Sequence, residues 1–133
     1  MSEKNRVAQV LVVEDDQDVR DTILDLLSDE GVPAAGMADG ASALRFLQSA
    51  PVKPNLILLD LMMPGVNGAE FRRLQMEDPA LANIPVVLLS ADVGTESASR
   101  SMQAAGYLRK PVKLTQLLEV VQRYGDPNLA FGD

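Results

Sequence analysis

The chain has 133 residues and a formal net charge of −7. That length can bury the core of one domain without staples, and that charge argues against a surface built to grip nucleic-acid phosphates. It contains no cysteine and no histidine, which excludes disulfides, thiol catalysis, Ser-His-Asp hydrolysis and His-ligated metals and leaves carboxylates, hydroxyls and lysines for chemistry.

After a polar start, Val7 to Val13 is a β-branched run that ends abruptly in Glu14-Asp15-Asp16. It reads as a buried strand, with Asp16 or Asp18 able to cap the helix that follows. Val19, Ile23, Leu26 and Leu27 then fall at helical spacing, with charges between them and Gly31 as the stop. Val32 to Met37 is a weaker strand, interrupted by Gly36 and placed at a sheet edge. The segment Asp39 to Ala50 carries Ala43, Leu44 and Leu47 on one face before Pro51 and Pro54 end it, giving a second helix.

Leu56 to Leu59 is a run of large aliphatics, too short for a helix and too apolar for a surface strand, so it reads as a central strand buried on both faces. Asp60 follows at once, and Pro64, Gly65 and Gly68 break the chain beyond it. Asn67 and Glu70 have the spacing of a capping box and open a helix expected to bury Phe71 and Leu74, closed by Asp78-Pro79. Ile84 to Ala91 is another doubly buried strand with Ser90 near its end. Thr95 to Ala105 is a soft helix, and Gly106 to Lys110 is a short strand. Leu114, Leu117, Leu118, Val121 and Tyr124 mark the last helix. Residues 7–124 form the domain, and 125–133 a frayed tail.

Alternating strands and helices with short connections predict βαβ units and a parallel sheet covered on both faces, an α/β fold. Strand C-termini share one rim of such a sheet, where ligands bind. That rim would gather Glu14, Asp15, Asp16, Asp60, Ser90 and Lys110. Clustered carboxylates repel one another unless a cation sits among them, and hard oxygen ligands select Mg2+ or a similar ion. An amine and a hydroxyl opposite that ion can hold phosphoryl oxygens, which makes Asp60 a carboxylate nucleophile toward phosphorus.

Leu-Val-Val-Glu14-Asp15-Asp16, Leu-Leu-Asp60-Leu-Met-Met-Pro-Gly-Val-Asn-Gly68, Ile-Pro-Val-Val-Leu-Leu-Ser90-Ala91 and Tyr107-Leu-Arg-Lys110-Pro111 together resemble the receiver domain of bacterial two-component response regulators, of the chemotaxis-type, single-domain kind. The resemblance covers nearly the whole chain and implies a flavodoxin-like doubly wound sheet in the order 2-1-3-4-5 with five helices. It implies Asp60 as phosphoacceptor and Mg2+ as cofactor, bound by Asp15 and Asp60 and by the backbone carbonyl of Met62, with Glu14 acting mainly through water. Ser90 would bond the phosphoryl oxygen, Lys110 would pair with it, Tyr107 would be an aromatic switch, and Lys110-Pro111 would be cis. Between Ser90 and Lys110 the chain is slightly shorter than usual for the family, and the expectation is of a receiver with no output domain after it.

The implied partners are a histidine kinase or histidine phosphotransfer protein and a downstream protein target. That target would meet the face built from the fourth helix, fifth strand and fifth helix. The chain itself would be a monomer or a weak phosphorylation-dependent dimer. Met62 and Asp92 would flank the path of attacking water, and a thioether orients water poorly, so slow self-hydrolysis is expected. A phosphorylation-independent docking module is the alternative. A phosphotransferase acting on small substrates would want a second carboxylate where Met62 stands. The apolar runs are too short to span a membrane and the start lacks a signal peptide's apolar region, so a cytoplasmic protein with no membrane partner is expected.

Overall fold

The computed structural model describes residues 8–63, 65, 67–91 and 95–124. Val7, Pro64, Asp92 and the expected tail 125–133 lie outside them. Strand and helix alternate as β1 (Val10–Val13), α1 (Gln17–Asp29), β2 (Ala34–Met37), α2 (Gly40–Ser49), β3 (Leu56–Asp60), α3 (Gly68–Met76), β4 (Val86–Ser90), α4 (Thr95–Ser101), β5 (Gly106–Arg109) and α5 (Leu114–Tyr124). All pairings are parallel, in the order β2-β1-β3-β4-β5.

The aliphatic runs explain why β1, β3 and β4 lie inside: each is buried along its whole length. Strand alternation then divides their side chains between two layers. Val10, Val12, Leu56, Leu58, Val87 and Leu89 face Ile23 and Leu27 of α1 and Leu117 and Val121 of α5. Leu11, Val13, Ile57, Leu59, Val86 and Leu88 face Ala43 and Leu47 of α2, Phe71 of α3 and Leu81. Each fully buried Leu or Ile contributes about 1.5–3 kcal/mol over its exposed state, so these two layers dominate the favourable side of folding.

Side-chain oxygens close three helix starts. Asp16 accepts from the amides of Asp18 (2.9 Å) and Val19 (3.2 Å), Asp39 from Ser42 (2.7 Å), and Asn67 from Glu70 (2.9 Å). The Glu70 carboxylate is taken by Arg73 at 2.6 Å, an i,i+3 pair. Gly36, which weakens β2 as a strand, has a tertiary use. A Cβ there would meet Leu24 Cδ1 at 2.8 Å, so its absence lets α1 pack onto the edge strand.

Two expectations need correction. In α3 the buried partners of Phe71 are Arg72 and Gln75, with Leu74 only half-buried, because the helix turns a polar pair inward to brace two loops. The last helix begins at Leu114 as expected, that residue being 38% exposed while Leu117 and Val121 are buried. The fourth helix ends at Ser101, short of Ala105. Gln103 takes a left-handed turn (φ 55°), and the Ala105 amide already donates to Val86 O in the approach to β5.

Candidate phosphoacceptor site

The site grows from the way three strands stop. Glu14 follows β1 directly, its amide donating to Met37 O (3.0 Å) and its carbonyl accepting from Arg20 Nη1 (2.8 Å), so the loop is pinned to both β2 and α1. This fixes the Glu14 carboxylate inside the fold, fully buried, while Asp15 points to solvent and Asp16 caps α1. Asp60 is the last residue of β3 and 3% exposed. Its Oδ1 accepts the Met62 amide at 3.1 Å. Gly68 explains how α3 can begin so close: a Cβ there would sit 2.9 Å from Asp60 O and from Leu61 Cα.

Carboxylate oxygens of Glu14, Asp15 and Asp60 lie within 4.8 Å of one another. Lys110, just past β5, reaches across with Nζ 2.7 Å from Glu14 Oε1 and 3.4 Å from Asp60 Oδ1. The cis Lys110-Pro111 peptide expected from the motif is present. Burial is the largest influence on Asp60 and, with the neighbouring Asp15 and Glu14 carboxyls, pushes its pKa up to about 7 against the opposing Met62 amide. Burial pulls Lys110 down, but Glu14 and Asp60 outweigh it and hold the ammonium above its ordinary value.

These residues fit a hard divalent cation. The donors are carboxylate oxygens, and Glu14 Oε1 is buried with an ion pair to Lys110 but no well-aligned hydrogen bond. Ser90 ends β4 and is buried, next to Leu89, which pairs with Asp60 across the sheet. Tyr107 lies mid-β5, opposite Leu88 and half-buried. Met62 is 66% exposed at the mouth of the site.

A family model for the response regulator receiver domain matches residues 10–122. The chain belongs to that family. It is 32% identical over 116 residues to the DNA-binding response regulator MtrA of Mycolicibacterium paratuberculosis, an alignment covering 86% of this chain and 49% of MtrA. It is 34% identical over 120 residues to the alkaline phosphatase synthesis transcriptional regulatory protein SphR of Synechococcus elongatus, covering 84% and 46%. The chain thus spans about half the length of these curated relatives. Among solved structures, chemotaxis protein CheY4 of Vibrio cholerae superposes with a TM-score of 0.79 at 28% identity, covering 89% of this chain and 98% of that one. The 2-1-3-4-5 sheet with five helices is the receiver fold, and this is a domain of two-component response regulators.

Two buried polar residues of α3 escaped the sequence reading. Arg72 Nε donates to Met102 O (3.1 Å), Nη2 to Gln103 O (2.8 Å) and Nη1 to Gln75 Oε1 (2.8 Å). Gln75 Nε2 in turn donates to Leu81 O (2.8 Å) and Ile84 O (3.0 Å). The spacing of the pair, one helical turn apart, was the available signal. Polar residues so spaced ordinarily read as a solvated face. Among the described residues no helix is long and apolar enough to cross a membrane.

Proposed function

We propose that this receiver domain is a phosphorylation-controlled switch in which Asp60 accepts a phosphoryl group from a phosphohistidine on a kinase or phosphotransfer partner. The observation that carries the reading is the meeting of three carboxylates and the Lys110 ammonium at the C-terminal ends of β1, β3 and β5. Carboxylates this close to an amine at a sheet rim suit phosphoryl transfer better than they suit stability.

In the transfer, an ionised Asp60 oxygen forms the O–P bond as the N–P bond breaks, and the electron pair leaves with the partner's imidazole. Asp15 and Asp60, with Glu14 behind them and the Met62 carbonyl beside them, are the residues that would hold Mg2+. When bound, that ion supplies positive charge against the phosphoryl oxygens and offsets the repulsion among the acids. Lys110 then exchanges its Asp60 contact for a phosphoryl oxygen while staying on Glu14. Ser90, drawn toward the new oxygens, vacates space that Tyr107 can occupy, and the α4–β5–α5 face shifts its affinity for a downstream protein. The phosphate has only to favour one arrangement by a few kcal/mol.

Incubation with Mg2+ and acetyl phosphate tests the reading by intact mass. One added phosphoryl group is expected on the native chain and none on Asp60→Asn. No uptake by the native chain would leave the docking-module reading instead, and uptake by the variant would remove Asp60 from its role.

A further inference from the structure

We infer that the groove along the free edge of β5 receives an acidic segment of a partner protein, laid beside the sheet as an extended strand. The inference deepens the switch reading above, resting on it only in taking this face as the output face. Among the described residues β5 is the terminal strand of the sheet, with no strand paired to its outer edge, and an unpaired strand edge offers backbone groups to an added strand. Between that edge and α5 runs a groove of about 570 Å3.

Its lining is basic in an acidic protein. Arg109, Lys113 and Arg123 lie along it with Glu119 as the carboxylate among its lining residues, although the chain carries a net charge of −7. Elsewhere the described cations are engaged. Arg20, Arg45, Lys53, Arg72, Arg73 and Lys110 each hold an oxygen partner, and Arg100 is also in contact. Among the described residues no carboxylate lies within ion-pair distance of Arg109, Lys113 or Arg123, all three exposed. The cations without an oxygen partner therefore collect on one groove, and Arg123 also lies over the Tyr124 ring at 6.0 Å. Strand-edge pairing supplies register, and the three charges select carboxylate side chains over basic or neutral ones.

The test titrates the isotope-labelled full chain with a short peptide of alternating Val and Glu, and with its Val-Lys counterpart, reading resonance shifts and anisotropy. Saturable binding of the Val-Glu peptide is expected, weakened by salt, with shifts confined to 106–109 and 113–123. Charge reversal in Arg109→Glu or Lys113→Glu, both at exposed positions, should weaken it about tenfold each. Equal binding of the Val-Lys peptide, unchanged affinity in both variants, or occupation of the groove by a second copy in sedimentation would overturn the inference. Phosphoryl uptake is measured on the same samples. A chain that accepts phosphate yet binds no acidic peptide in either state refutes the groove alone, whereas one that binds the peptide without accepting phosphate refutes the switch alone.

Discussion

Asp60 shows how the site trades stability for reactivity. Its folded pKa, raised to about 7 from 3.8 by burial and by Asp15 and Glu14, means the native state holds a proton that the unfolded chain has already released at neutral pH. The contribution to stability is therefore complete below the unfolded value and is lost as pH rises through the folded one. Without divalent cation, Tm should fall by roughly 5 °C or more between pH 5 and pH 8. Asp60→Asn, which carries no titrating group there, should flatten that slope in a thermal melt series. Asp15 contributes to this crowding because its carboxylate lies within 4.8 Å of those of Glu14 and Asp60.

At the scale of elements, α3 does two jobs that pull in one direction. Its N-terminus must pass close to the end of β3, which Gly68 permits. Gly68→Ala would put a methyl group 2.9 Å from backbone atoms of Asp60 and Leu61. It is expected to cost about 1–3 kcal/mol in denaturant unfolding and to slow phosphoryl uptake, since either the helix or the Asp60 loop must shift. Further along, Arg72 and Gln75 tie the loop after α4 and the turn before β4 to the same helix. Arg72→Ala strands the carbonyls of Met102 and Gln103 and should cost about 2–3 kcal/mol, with Arg72→Lys intermediate, because an ammonium cannot reproduce three donors in a fixed plane. Chemical denaturation of the two variants checks this. A loss equal in Lys and Ala would show that only the fork geometry counts.

For the whole molecule, a cation that binds the folded rim and not the unfolded chain must stabilise the fold by mass action. Raising free Mg2+ from the dissociation constant to a hundredfold above it should add about 2.3 kcal/mol, with the melting temperature climbing logarithmically. Asp15→Asn, which removes a ligand from the rim while leaving the core intact, should reduce that response. A melting temperature insensitive to Mg2+ in the native chain would contradict the site as built from Glu14, Asp15 and Asp60.

The sequence alone determined the alternation of elements, because aliphatic runs such as Leu56 to Leu59 and the period of α1 depend on neighbours within a few residues. It also determined which chemical groups end the strands, and parallel topology makes strand ends converge whatever the loops do. Contacts between distant elements were settled only by tertiary structure. That Lys110 bridges Glu14 and Asp60, that Arg72 turns inward to hold Gln103, that α4 stops at Ser101 and that Leu114 stays outside all depend on which surfaces meet. A side chain's own identity fixes its local preference, but its partner is chosen by packing, and packing exists only once the layers have come together.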